Sequence, residues 1–459
     1  MDNICLLTDS YKFSHYKQYP PKTEKVYSYF ESRGGKYPYT VFFGLQYFIT
    51  KYLEGQVVTQ EKIDYAEERV NAHMGPGTFN REGWQYILDT YEGRLPVIIK
   101  AVPEGTVVPT RNVLMTIENT DDKCYWLTNY LETLLVQVWY PTTVATQSRV
   151  MKALLLESLE RTGDPSLVDF KLHDFGFRGS TSVESAGLGG ASHLTNFKGT
   201  DTFEGIEVAY KYYNEDMAGF SIPASEHSTI TSWGEDGEVD AMRNMLNQYP
   251  TGLVACVSDS YDIFRACTKY WGAELKDEVL SRDGVLVVRP DSGDPPTIVC
   301  QVLRLLGDAF GYATNKKGFK ILPPQIRVIQ GDGIDQQMLQ RILFAMEMAG
   351  WSTDNIAFGS GGGLLQKLDR DTCKFAFKCS SITVDGEEVD VWKDPVTDKG
   401  KASKRGRLKL VRAEGAHGKA WATANMPDHS LVDELQTVFL NGTVTQRESM
   451  EDIRTRTSF

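Results

Sequence analysis

The sequence predicts an α/β fold, an irregular (β/α)8-like barrel with a flanking β-rich α+β domain. Three observations carry this expectation. After Gly163, short apolar runs alternate with helix-like segments, and eight such runs fall within about 215 residues. Before it, the runs are strand-like and are punctuated by Pro103, Gly105 and Pro109. Polar residues collect just beyond the carboxyl ends of the expected barrel strands, the face on which barrel enzymes build their sites.

In chain order, the flanking domain spans residues 1–160. Val26–Phe30, Thr40–Phe43, Val97–Ala101 and Val113–Glu118 read as strands, while Glu61–Ala72, Trp126–Gln137 and Thr143–Glu160 read as helices. The barrel spans 161–380. Its strand runs are Val168–Leu172, Leu194–Phe197, Gly219–Ile222, Leu253–Val257, Val285–Val288, Val328–Ile329, Ile356–Phe358 and Phe375–Lys378. Between most of them lie helical segments, among them Thr202–Tyr213, Gly237–Asn247, Tyr261–Trp271, Pro296–Phe310 and Asp335–Ala349. A doubly wound open sheet shares this period; the count of eight favours the barrel. Residues 381–459 leave the rhythm with a hairpin-like Val384–Trp392 and a strand at Gly406–Arg412, and return to the flanking domain.

Composition narrows the function classes. The 459 residues are 41% hydrophobic, 24% charged and 11% aromatic, which describes a packed globular protein. A formal charge of −12, from 49 basic and 61 acidic side chains, argues against a nucleic-acid binder yet permits a small phosphorylated ligand. Lys399–Lys409, with six basic residues in eleven, is either a local anion site or a solvated loop. Seven cysteines without a C-x-x-C pair read as reduced thiols in a cytosolic protein. The start MDNICLLTDSYK is no signal peptide, and no apolar run approaches a membrane span.

The chemistry lies in HDFGFRG (His173–Gly179), FKGTD (Phe197–Asp201), PASEH (Pro223–His227), SDSYD (Ser258–Asp262), RPDSGDP (Arg289–Pro295), QGDG (Gln330–Gly333) and GSGGG (Gly359–Gly363). In the last, a strand runs straight into an expected helix start, where glycines and exposed N–H groups favour an anion; a tight connection is the plain alternative. Arg289 grips phosphate in a fork, while Asp291 and Asp332 accept hydrogen bonds from vicinal hydroxyls. Together they point to a ribose phosphate, although each Asp alone also suits a turn or a helix cap. Phe175 and Arg178 offer a flat face and an anion donor, against the ordinary reading of Phe175 as core. His227, at a loop–helix junction, is a functional imidazole or a structural hydrogen-bonder. With no tight His/Cys cluster, any metal is Mg2+ brought in by phosphates and held partly through water.

Taken together these strings resemble the nicotinamide phosphoribosyltransferases, a type II phosphoribosyltransferase family. The likeness runs from TDSYKFSHYKQYPP (Thr8–Pro21) through VPEG, HDFGFRG, NFKGTDT, PASEHSTIT, VSDSYDI, RPDSG, VIQGDG and AFGSGGGLLQK to KDPV and KRGRLKL. Each glycine motif is weak alone; the ordered series is specific. The resemblance implies a homodimer with shared sites and transfer of phosphoribose from phosphoribosyl pyrophosphate to nicotinamide, coupled to ATP. It implies that Phe175 stacks on the ring, that the partner subunit's Tyr11 covers its other face, and that Asp201 accepts from the carboxamide. Arg178 then borders the pyridine pocket on the phosphate side. Arg289, Asp291 and Asp332, supported by Asp259, match ribose contacts. Gly331, Gly361 and Gly362, with Arg370 beyond, match the ribose-phosphate cradle. Arg33, Lys378 and Lys393 match the pyrophosphate or nucleotide region, and His227 the histidine that ATP phosphorylates.

One departure from the family's pattern is Ala255, at a place where the resemblance implies that close relatives can carry a serine facing the carboxamide. Two other accounts compete. A nicotinate phosphoribosyltransferase would share the chemistry, but Asp201 would repel nicotinate's carboxylate. A non-catalytic protein that binds phosphoribosyl ligands or signals through its surface would have little use for His227, Asp291 and Gly361–Gly362 together.

Overall fold

The computed structural model describes residues 2–415, 418–426 and 431–459, and the chain divides into two compact units. One comprises Met1–Thr146, Tyr210–Glu215 and Leu368–Phe459; the other comprises Gln147–Ala209 and Asp216–Lys367. These limits differ from the 160 and 380 expected above. The helix Trp139–Thr162 runs through the first division, so no turn signal marks it.

The first unit is built on a seven-stranded antiparallel sheet in the order Glu387–Asp390, Phe375–Val384, Thr23–Ser32, Val113–Asn119, Val97–Ala101, Gln436–Leu440, Thr443–Val444. This corrects one expectation. Phe375–Lys378, expected as the eighth barrel strand, pairs antiparallel with Thr23–Ser32, with Phe377 opposite Phe30. A short apolar run cannot declare the direction of its neighbour. On its other edge the strand continues into a hairpin with Glu387–Asp390, where Asp385 and Gly386 sit at φ 52° and 79° as the two left-handed residues of a tight turn, and the Phe375 ring stacks on Phe30 at 5.0 Å.

The basic stretch at 399–409 is largely spoken for within this unit. Lys404 pairs with Glu31, and Arg407 forks onto Glu118 with two bonds of 2.6 Å. Buried Lys409 donates to the Leu431 carbonyl at 2.8 Å. Those three charges are fastened to the sheet rather than left free to hold an anion.

The second unit is a parallel sheet curled on itself. Its strands are β1 (Leu172–Asp174), β2 (Gly199–Thr200), β3 (Thr251–Val257), β4 (Asp283–Arg289), β5 (Ile326–Gln330) and β6 (Ile356–Ser360), hydrogen-bonded in the order β2-β1-β6-β5-β4-β3. Between the edges β2 and β3 lies an irregular segment, bridged in parallel as Gly199 with Phe220 and Ala224 with Ala255. The result is a ring of seven staves rather than eight, with the third reduced to two bridges. Pro223 within it has no N–H to give a regular ladder. Two of the expected runs, Val168–Leu172 and Leu194–Phe197, lie just ahead of the strands themselves. Most of the first is the 3-10 turn Pro165–Phe170, and the second begins at the end of the helix Val183–Leu194. Val168, Leu172, Leu194 and Phe197 are buried, whereas Phe170 is exposed.

Alternation along the staves builds two packed layers. Val254, Cys256, Leu286, Val288, Val328 and Phe358 join the large core shared with the covering helices. Their neighbours Ala255, Val287 and Ile329 form a separate small cluster with Phe175, Ile222, Val285 and Ala357. Both faces are therefore apolar, the mark of parallel strands covered on each side. Phe175 caps the inner cluster from the loop after β1.

Candidate active site

The carboxyl ends of the staves open into a cleft of about 850 Å³. Nine of the sixteen residues singled out by sequence line it: Phe175, Arg178, Asp201, Arg289, Asp291, Gly331, Asp332, Gly361 and Gly362. Each stands on, or one or two residues beyond, a strand end, apart from Arg178 in the short turn Phe177–Gly179.

Phe175 is held from below and behind. Its N–H donates to the Ser360 carbonyl at 2.9 Å, and the Arg289 guanidinium lies 5.8 Å from its ring centre. Glycine is needed at 359, because a Cβ there would fall 1.9 Å from the Phe175 ring. Asp201 is exposed to the cleft, with one carboxylate oxygen taken by the Ser221 hydroxyl. That leaves the other oxygen as an acceptor for a ligand.

A second group forms around β4. Arg289 donates to Asp291 at 2.8 Å, while its Nε is buried with no partner. A buried, unpaired guanidinium nitrogen at a cleft wall is a donor waiting for an acceptor. Asp259, beyond β3, accepts from the Asp291 N–H at 2.9 Å and from the Ser292 hydroxyl. Its other oxygen lies 3.1 Å from His227 Nε2, and His227 Nδ1 lies 3.9 Å from Asp291. The histidine is about half exposed, whereas Asp259 is almost fully buried. With Nε2 donating to Asp259, Nδ1 keeps its lone pair for chemistry. His227 and Asp259 thus belong to the cleft's network without lining it.

The β6 end supplies the glycine turn. Gly361 precedes a short helix, Gly362–Leu365, and a Cβ on Gly362 would meet no protein atom within 4 Å, so its backbone faces open space. Gly363 is different: a Cβ there would lie 2.5 Å from the Ile334 carbonyl. Sequence reading passed over Lys367, which also lines the cleft. It stood within the LLQK string, and an amine one turn past an anion cradle was the available signal.

The remaining five residues, Tyr11, Arg33, Arg370, Lys378 and Lys393, belong to the first unit. Four of them form one cationic cluster. Burial lowers the Lys378 pKa; Glu132 opposes this, and Arg33, Lys393 and Arg370 press it down further. Arg33 pairs with buried Glu31 at 3.3 Å and leaves Nη2 without a partner. Arg370 belongs to the same cluster, through its charge on Lys378. Tyr11 is 59% exposed, stacked edge-on against His15 at 4.7 Å.

One buried group escaped sequence reading. Asp174, at the end of β1, is fully buried, and burial, with Asp201 acting in the same direction, pushes its carboxyl up to about 7. Ala255 belongs to the inner cluster that Phe175 caps. Among the described residues no cluster of three or more His, Cys, Asp or Glu could cage a metal, and no helix is long and apolar enough to cross a membrane.

Comparison with known proteins shows the family. Residues 170–443 match the model of the nicotinate phosphoribosyltransferase family, and residues 3–99 match the N-terminal domain of nicotinamide phosphoribosyltransferase. The chain is 52% identical to a nicotinamide phosphoribosyltransferase of Xanthomonas campestris, covering 99% of this chain and 98% of that one. It is 34% identical to one from Acinetobacter baylyi, over 98% and 95%. Among solved structures, human nicotinic acid phosphoribosyltransferase superposes with a TM-score of 0.60 at 14% identity, over 98% of this chain and 93% of that one. A nicotinate-nucleotide pyrophosphorylase from Pyrococcus furiosus gives 0.61 at 15%, over 99% and 95%. At such identities the structures speak for the fold alone.

Proposed function

The chain belongs to the nicotinamide phosphoribosyltransferase family, and from that premise we propose how its residues divide the work. The reaction joins the pyridine nitrogen of nicotinamide to the phosphoribosyl group of phosphoribosyl pyrophosphate, giving nicotinamide mononucleotide and pyrophosphate. One observation carries the assignment of roles: a single cleft gathers an aromatic face, an exposed carboxylate, an arginine–aspartate pair and a glycine turn.

The pyridine nitrogen carries no proton, so the attack needs alignment rather than a general base. Phe175 supplies the stacking face. The free oxygen of Asp201 accepts from the carboxamide NH2 and repels a carboxylate, which selects the amide over the acid. Asp291 and Asp332 accept from the ribose hydroxyls, and the backbone at Gly331, Gly361 and Gly362 receives the 5′-phosphate. Arg289 and Arg178, with Lys367, offset the charge that builds as pyrophosphate departs. The cations Arg33, Lys378, Lys393 and Arg370 form a second anion-binding cluster, suited to pyrophosphate or to a nucleotide. Mg2+ would take its ligands chiefly from substrate phosphates and water, and when bound would neutralise phosphate charge.

His227 is the residue we assign to ATP coupling. Asp259 holds one ring nitrogen at 3.1 Å, and the other is free to take a phosphoryl group from ATP. Tyr11, exposed on its own unit, is assigned to the second face of the ring in a homodimer. Seven cysteines without a disulfide support a reducing, cytoplasmic setting. The coupling is tested with γ-labelled ATP. Wild-type protein should take up an acid-labile, base-stable label that His227→Ala does not, and ATP should no longer stimulate product in that variant. Equal labelling of both proteins would remove His227 from the pathway.

A further inference from the structure

Asp174 takes no part in the chemistry above, yet the ring-binding half of the cleft is fastened to it twice. It closes β1, paired with Thr200 on one side and Ser360 on the other. Its carbonyl accepts the Asp201 N–H at 2.9 Å. Its carboxylate Oδ1 accepts the Gly176 N–H at 2.7 Å, closing the turn whose central residue is Phe175. One residue therefore anchors both the stacking face and the amide acceptor.

The turn has little freedom on its far side. A Cβ at Gly176 would lie 2.6 Å from Leu365 Cγ and 3.0 Å from the Gly361 carbonyl. The backbone thus sits against the glycine turn and is pinned from the other side by the Asp174 carboxyl. Burying a carboxyl is costly, and here the second oxygen has no hydrogen-bond partner. The buried Thr202 hydroxyl lowers the carboxyl's pKa, and the nearby charge of Asp201 raises it. A turn at the surface would do as well with a serine or an exposed aspartate. A fully enclosed carboxyl at this corner fixes where Phe175 stands.

We propose that Asp174 is a positioning residue that sets the spacing between Phe175 and Asp201, so that ring stacking and amide recognition engage together. This rests on the nicotinamide-binding roles assigned above to those two residues. The test measures nicotinamide affinity by calorimetry and the KM values for both substrates in wild type, Asp174→Ala and Asp174→Asn. Alanine should raise the nicotinamide Kd and KM at least tenfold and leave the KM for phosphoribosyl pyrophosphate within about twofold. Asparagine, which keeps an acceptor for Gly176, should restore nicotinamide binding to within about threefold.

Should the alanine protein not fold, Asp174→Glu takes its place, since the acceptor moves by one methylene and the same selective loss is expected. An unchanged nicotinamide affinity in the alanine or glutamate protein would overturn the inference. So would parallel losses for both substrates, or an asparagine protein as impaired as alanine. A wild type that turns over nicotinamide but binds it no better than Phe175→Ala or Asp201→Ala would instead remove the ring-binding roles, and this inference with them.

Discussion

At the scale of single residues, the cleft's selectivity rests on the one oxygen of Asp201 that Ser221 leaves free. Asp201→Asn keeps the size but removes the charge and leaves one acceptor oxygen for which Ser221 and the carboxamide compete. It should lower kcat/KM for nicotinamide by roughly 10- to 100-fold, about 1.5–3 kcal/mol, and raise the nicotinate-to-nicotinamide ratio in parallel assays. Gly362→Ala separates binding from folding, because its Cβ meets only open space. Its Tm should stay at the wild-type value while KM for phosphoribosyl pyrophosphate rises roughly tenfold, about 1.4 kcal/mol. Asp174 also ties stability to pH. Its folded-state pKa, about 7, lies above the ordinary 3.8, so folding favours the protonated form. That contribution is complete below 3.8 and is lost as pH rises through 7, at most on the order of 4 kcal/mol. Asp174→Asn, always neutral, should therefore gain stability relative to wild type between pH 5 and pH 8, measured by urea unfolding; a constant difference would contradict the raised value. Most cleft residues were legible because they sat in strings with chemical sense. Asp174 was not: inside HDFGFRG an aspartate reads as a turn former, and only the fold reveals that it is enclosed. Lys367 was missed for the opposite reason, as one more lysine on an exposed face.

At the scale of elements, the sequence reading found the alternation and miscounted the ring. Seven of the eight expected runs correspond to staves or to the segments just ahead of them. The eighth, Phe375–Lys378, alternates phenylalanines as a half-buried strand does, and pairs in the antiparallel sheet, continuing into the hairpin at Asp385–Gly386. Direction and partner are long-range facts that local periodicity does not hold. The closure of the ring is likewise a tertiary matter. β6 pairs with β1, and beneath that seam buried Lys171 donates to the carbonyls of Thr353, Asp354 and Ile356 at 3.0, 3.1 and 2.8 Å. Lys171→Met would leave three buried carbonyls short of a donor. It should destabilise the barrel unit by about 3 kcal/mol, read as a lower urea midpoint, with the nicotinamide Kd unchanged at temperatures where the protein stays folded.

At the scale of the whole molecule, the chain carries two chemically distinct groups of site residues. The barrel unit holds the ring, ribose and phosphate groups, while Tyr11 and the cationic cluster lie in the other unit. If a homodimer shares its sites as proposed, Tyr11→Ala and Phe175→Ala should each be nearly inactive alone. Mixing them after mild dissociation and reassociation should recover activity, because one of the hybrid's two sites is intact; no recovery would mean that Tyr11 serves its own subunit or none. The central claim is amide-selective phosphoribosyl transfer, and one product assay tests it most directly. Purified protein is given phosphoribosyl pyrophosphate and Mg2+, with nicotinamide or nicotinate in parallel, each with and without ATP, and the mononucleotides are separated. The account predicts nicotinamide mononucleotide as the dominant product, increased by ATP. Nicotinate mononucleotide in excess would contradict the role of Asp201, and no product from folded protein with either base would contradict the assignment itself.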